Sequence, residues 1–205
     1  MEQKDWISEG NDWNRKGDYS KALACFEKAI EQNSNDENAH FGKGFALNGL
    51  GKKQESIQCF DTVIELNSSS AYAYYNKGYA LFELRKYEES IQYFDKTIEL
   101  QKDFEYAYAN KGNALFYLRR YEEAVKYYDT ALALNPELSD IVEWRSRAIN
   151  KKNKTLSKNE TDFNPRSKMI IRTVSIIGVI GLFAFFLYRI FYRRLGEGYM
   201  PWDII

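Results

Sequence analysis

The sequence predicts an all-α protein: a solenoid of helix-turn-helix repeats, then a capping helix, a polar linker and one transmembrane helix. Three observations carry this expectation. The chain aligns with itself when Gly10 is laid on Gly44 and every later residue is shifted by the same amount, each aligned unit holds two short segments with apolar residues at helical spacing, and residues 173–192 form a nearly uncharged apolar stretch.

The self-alignment brings Gly10, Gly44, Gly78 and Gly112 into one column. Others hold Trp6, His40, Tyr74 and Tyr108, then Trp13, Leu47, Leu81 and Leu115. A second set runs Ala22, Ser56, Ser90 and Ala124, followed by Phe26, Phe60, Phe94 and Tyr128, and by Ile30, Ile64, Ile98 and Leu132. In the third unit Tyr74, Gly78 and Leu81 lie at i, i+4 and i+7 on one helical face, and Ser90, Phe94 and Thr97 repeat that spacing on a second. Gly17-Asp18, Gly51-Lys52, Arg85-Lys86 and Arg119-Arg120 are the turns between them. A glycine or alanine at a helix crossing lets two backbones approach, and a large residue of the partner fills the space beside it.

These columns resemble the tetratricopeptide repeat over residues 3–138, giving units 3–36, 37–70, 71–104 and 105–138. Two features depart from that pattern. The closing proline occurs only as Pro136, and the column before the glycines holds Glu9, Lys43, Lys77 and Lys111 in place of apolar residues. A stack of such units needs a terminal cap with a polar outer side, and residues 139–152 are expected to supply it. There Asp140 and Glu143 start the helix, Val142 and Ile149 continue the core stripe, and Arg145, Arg147, Lys151 and Lys152 cover the outside.

Residues 153–168 read NKTLSKNETDFNPRSK, a polar linker without helical period. Its two glycosylation sequons, at Asn153 and Asn159, read as chance matches in a cytosolic tether. The membrane helix is expected within residues 169–192, its apolar part at 173–192, leaving a short tail over 193–205. Twenty residues at about 1.5 Å each cross about 30 Å, the hydrocarbon thickness of a bilayer. Lys154, Lys158, Arg166, Lys168 and Arg172 precede this span and Arg189, Arg193 and Arg194 follow its apolar core. That bias, with opening residues that hold no secretory leader, sets the expectation of a single-pass, tail-anchored protein whose repeats face the cytoplasm.

The composition excludes several functions. Residues 1–152 hold 21 basic and 25 acidic side chains, with no lysine or arginine stripe, which argues against nucleic acid as a partner. One histidine, His40, sits in an aromatic column and is read as core-facing, and Cys25 and Cys59 are one repeat apart, too far for a disulfide and too few for a zinc site. No catalytic constellation, metal site, cofactor or small-molecule substrate is expected, so the chain is not read as an enzyme.

The resemblance implies an adaptor or scaffold that recruits a protein or peptide along the concave side of the first helices. The columns that line it hold Phe41 and Phe45, then Tyr72, Tyr75, Tyr79 and Phe82, then Tyr106, Asn113 and Phe116. Rings of this kind suit an apolar or amphipathic ligand. A co-chaperone-type receptor or an assembly factor for a membrane complex is the alternative. The two-carboxylate clamp of such receptors would place a lysine at Ile7, asparagines at Asn11 and Gly42, and a lysine and an arginine at Tyr72 and Asn76, or one unit later the same types at Phe41, Phe45, Asn76, Tyr106 and Asn110, and its basic residues are missing in both frames.

Overall fold

The computed structural model of the chain describes residues 5–161, and every regular element in that range is an α-helix. The first pair is α1 (Trp6–Arg15) and α2 (Tyr19–Gln32), and the second α3 (Glu37–Gly49) and α4 (Lys53–Leu66). The third is α5 (Ala71–Glu83) and α6 (Tyr87–Leu100), and the fourth α7 (Glu105–Tyr117) and α8 (Tyr121–Leu134), with α9 (Ser139–Thr161) following. The compact body of repeats closes at Asn153. The 173–192 span lies outside the described residues, and among those that are described no helix is long and apolar enough to cross a membrane.

Each first helix ends in the same way. The amide after the turn reaches back to a carbonyl in the helix: Asp18 to Trp13, Lys52 to Leu47, Lys86 to Leu81 and Arg120 to Leu115, at 2.9 to 3.0 Å. That bond closes a Schellman turn, whose pivot needs the left-handed conformation. Gly17 and Gly51 adopt it at φ of 77° and 78°, whereas the third and fourth units place Arg85 and Arg119 there at 61° and 60°. Aspartates cap the starts of α1, α2 and α3, Asp5 accepting from the Ser8 amide, Asp18 from Lys21 and Asp36 from Ala39.

The core is built on the glycine column. A Cβ at Gly10 or Gly44 would meet the rings of Phe26 or Phe60 at 2.8 or 2.9 Å, and one at Gly112 would stand 2.6 Å from Cε1 of Tyr128. Phe26, Phe60, Phe94 and Tyr128 are all fully buried. Gly42 adds a second approach, since its added Cβ would lie 2.3 Å from Phe26 across the boundary between units. Alanines fill the rest of the contact face, with Ala39, Ala73 and Ala107 and then Ala46, Ala80 and Ala114 excluded from solvent. Leu47, Leu81 and Leu115 are buried as the columns predict, and no disulfide joins the buried Cys25 and Cys59.

Three expectations need correction. The Trp6, His40, Tyr74 and Tyr108 column is half-buried instead of central, because alanine fits the helix crossing and a ring does not. Its polar ends work outward: the His40 ring nitrogen Nε2 lies 2.8 Å from the Ser34 carbonyl, and the Tyr108 hydroxyl donates to the Lys102 carbonyl at 3.1 Å. In α9 the stripe is Ile141 and Ala148, not Val142, which is 49% exposed. Val142 stands one repeat after Tyr108, a position that packs on the unit's own second helix (Tyr108 to Tyr127, 6.4 Å). Lastly, α9 runs on to Thr161, beyond the expected end of the cap at Lys152. A packed helix start propagates at little cost through good helix formers such as Lys154, Leu156 and Glu160.

The charged column before the glycines has a structural role. Lys43 pairs with Glu27 at 3.2 Å, Lys77 with Asp61, Lys111 with Asp95 and Arg145 with Asp129. Each base joins the first helix of one unit to the second helix of the unit before it, and α9 obeys the same register. Lys111 also donates to the Tyr127 hydroxyl at 2.6 Å and stands 4.1 Å from that ring centre. Burial alone would lower the Lys111 pKa, but Asp95 and Tyr127 outweigh it and the net direction is up.

Gly112→Ala should cost about 1–3 kcal/mol, because Tyr128 is enclosed and cannot retreat, whereas Gly17→Ala, with open space around its Cβ, should cost about 1 kcal/mol through its φ alone. Urea unfolding followed by circular dichroism ranks the two, and an equal or reversed order refutes the packing account. A second expectation concerns pH. Burial raises the Tyr75 and Tyr128 phenols, and Lys77 and Lys111 are raised as well. Groups whose folded pKa lies above the unfolded value lend stability that is present below that unfolded value and lost above it. The unfolding midpoint should therefore hold up to about pH 9.5 and fall steeply beyond about pH 10; a midpoint unchanged at about pH 11.5 contradicts it.

Candidate functional site

Successive first helices touch each other, α1 with α3, α3 with α5 and α5 with α7, whereas α2, α4, α6 and α8 do not touch one another. Closer spacing on one side makes the first-helix face of the stack the inner, concave one. The nine predicted groove residues all belong to that set of helices, but they divide by what they touch.

Phe45, Tyr72 and Tyr106 present 41%, 58% and 49% of their surface to solvent. Phe45 meets the edge of the Tyr19 ring at 6.4 Å, and Tyr72 leans on Phe104 at 5.1 Å with most of its ring open. Phe41 and Tyr79 are half-buried, Phe41 against Phe60 at 5.6 Å and Tyr79 stacked on Tyr75 at 6.4 Å. Of the remaining four, Tyr75, Phe82 and Phe116 also fasten one unit to the next. Tyr75 lies 4.8 Å from Phe104 and 6.0 Å from Phe94, and its hydroxyl accepts from Asn110 Nδ2 at 2.9 Å. Burial, first, and then the neighbouring Tyr79 push its phenol well above the usual range. Phe82 sits between Tyr87 and Tyr117 at 5.5 and 5.7 Å, and Phe116 packs on Trp144 and Tyr121, each at 5.3 Å.

Asn113 belongs to a hydrogen-bond chain along the floor of this face. The Tyr128 hydroxyl donates to Asn113 Oδ1 at 2.9 Å, Asn113 Nδ2 donates to Asn110 Oδ1 at 3.2 Å, and Asn110 donates in turn to Tyr75. A buried phenol thus has its donor satisfied, and the asparagine amides are held in one orientation.

Two cavities open on the same side. One of about 390 Å³ is bounded by Tyr106, Asn110, Asn113, Asp140 and Trp144, and one of about 360 Å³ by Asn11, Asn14, Phe41 and Phe45. The sequence reading missed Asn110, Phe104 and Trp144. Trp144 stands one repeat after Asn110, so extending the repeat register through α9 would have found it. Among the described residues no cluster of His, Cys, Asp and Glu could hold a metal ion. The arrangement offers rings, amide donors and acceptors, and two hollows of side-chain size; it suits recognition of a chain laid along the face.

Comparison with known proteins agrees with this geometry. The tetratricopeptide-repeat models match residues 37–70, 71–104 and 105–138, and a further TPR-repeat model matches residues 10–51. The crystal structure of MamA protein is similar at 21% identity and a TM-score of 0.60, over 76% of this chain and 90% of that one. MamA 41-end from Desulfovibrio magneticus RS-1 is similar at 20% identity and 0.63, over 78% and 96%. YrrB, described as a TPR protein with an unusual peptide-binding site, is similar at 20% identity and 0.61, over 72% and 76%. At these identities the likeness is one of fold, and no curated protein matches the chain. With matched units running without a break from residue 10 to residue 138, and a glycine set against a buried ring in every one, the chain belongs to the tetratricopeptide-repeat family.

Proposed function

We propose that this protein is a membrane-anchored adaptor that recruits a protein or peptide along its concave face. The observation that carries the reading is the presence of three open rings, Phe45, Tyr72 and Tyr106, on the inner helices beside two cavities. Large rings left in water on a rigid concave surface bury much area at low entropic cost when a ligand covers them. The peptide-binding site named for YrrB lies on the same fold and supports a peptide-like ligand. A partner of apolar or amphipathic character fits the rings, and nothing in the columns builds a basic carboxylate clamp. The anchor is residues 173–192, the apolar span of the sequence, and the basic residues on its N-terminal side favour repeats that face the cytoplasm.

Because Tyr75 fastens units together while Tyr72 and Tyr106 stand open, the two kinds of residue should respond differently to truncation. Tyr72→Ala with Tyr106→Ala should weaken binding of a partner captured by the full-length chain by about 2 kcal/mol or more with an unchanged melting temperature. Tyr75→Ala should instead lower the melting temperature. Calorimetric titration and thermal melts on the same samples decide it, and full affinity in the double variant moves the binding surface elsewhere. The anchor is tested by extracting membranes at alkaline pH: the full-length chain should stay with the lipid, and release into the wash removes the membrane part of this reading.

A further inference from the structure

The antiparallel pairing of the helices sorts the loops onto two edges. All first helices run the same way, so the turns that follow them share one edge, and the loops that precede them share the other. Contacts between units mark the first edge: Lys53 pairs with Glu83 of the next unit at 2.6 Å, Lys152 with Glu122 at 3.4 Å, and the Tyr87 and Tyr117 rings stack at 5.1 Å.

The two edges differ in charge. The tips of the turns on the first, Lys16-Gly17-Asp18, Leu50-Gly51-Lys52-Lys53, Leu84-Arg85-Lys86 and Leu118-Arg119-Arg120, hold seven bases and one acid, with Glu55, Glu83, Glu88, Glu89, Glu122 and Glu123 in the helix ends behind them. On the other, Asp36 and Glu37 are followed by Asp103 and Glu105 and then by Glu137 and Asp140, against one base, Lys102. Part of the basic charge is neutralised locally, by Lys52 with Glu55, Lys86 with Glu89 and Arg120 with Glu123. Arg85 and Arg119 are not: neither side chain makes an ion pair or hydrogen bond with any described residue.

These two arginines also occupy the left-handed turn position that Gly17 and Gly51 hold in the first two units. A side chain there strains the backbone, so the fold does not gain by them. Leu84, beside Arg85, is 38% exposed, as is Leu50 one unit earlier, whereas Leu118, beside Arg119, is half-buried. Two unpaired guanidiniums one repeat apart, with two open leucines on the same edge, fit a flat surface that is negative at its face and apolar beneath. The C-terminal end of the packed part of α9, at Lys152, reaches this same edge.

We infer that the edge formed by the turns at Leu50, Leu84–Lys86 and Leu118–Arg120 lies on an anionic lipid surface, with Arg85 and Arg119 contacting lipid headgroups and Leu50 and Leu84 entering the interface. This builds on the membrane anchoring proposed above and adds an orientation: the acidic edge faces away from the bilayer, and the concave face stands open sideways to a partner.

The test is hydrogen exchange by mass spectrometry on the full-length chain in lipid nanodiscs of phosphatidylcholine alone or with about one third phosphatidylserine. Amides of Leu84–Lys86 and Leu118–Arg120 should exchange about three-fold or more slowly in the anionic discs, and those of Asn33–Asp36 and Asn67–Ser70 should not change. Salt at about 0.5 M should erase the difference, and so should Arg85→Gly with Arg119→Gly, which suits the turn and keeps the fold. Equal exchange at the basic edge in both lipids overturns the inference while leaving the anchor intact; failure to enter neutral discs at all overturns the anchor instead. Equal protection by polyuridylate in the absence of lipid assigns the edge to a soluble polyanion and overturns it too.

Discussion

The stack depends on one contact made in each unit: an aromatic ring of the second helix lying against a position of the first helix that has no side chain. Phe26, Phe60, Phe94 and Tyr128 are each enclosed, and a single carbon on the glycine opposite would overlap them. The contact fixes the distance between the two helices of a pair, and with it the depth at which the alanines and leucines around it meet. Everything outside that core, including the spacing of the groove rings, inherits its geometry.

The second constraint links units instead of helices within a unit. A base on one first helix and an acid on the preceding second helix pair four times in succession, ending with Arg145 on α9. Buried lysine is costly without a partner, so a slip of one repeat against the next would strand Lys77 and Lys111. The same ladder makes α9 the first helix of an unfinished fifth unit. Since no second helix follows it among the described residues, Val142 is left in solvent, and the Asn110–Trp144 region closes the groove on its C-terminal side.

Function follows from what these constraints leave over. Rings that serve the joints, such as Tyr75 and Phe116, are covered by their neighbours, whereas Tyr72 and Tyr106 share a column whose neighbours on the stack are too few to cover them. The turns show the same division. Gly17 and Gly51 satisfy the backbone, while Arg85 and Arg119 strain it and contribute a charge that no described residue answers. In both places the departure from what the fold requires marks a surface available to something else.

The sequence alone determined the repeat. A constant period with small and large columns admits a stack of helix pairs and little else, because only that arrangement buries every column at once. It also held the apolar span at 173–192, whose length is a property of the chain and needs no fold to be read. Tertiary structure decided what periodicity cannot carry. Helical phase separates inner from outer residues but cannot say which ring a neighbouring unit covers, so Tyr72 and Tyr75 looked alike and are not. The basic edge was invisible for a related reason: its charges lie a repeat apart in the chain, and only the parallel run of the first helices brings them to one side. The Lys43, Lys77 and Lys111 column looked like a departure from the repeat pattern until packing placed an acid of the preceding second helix beside each base.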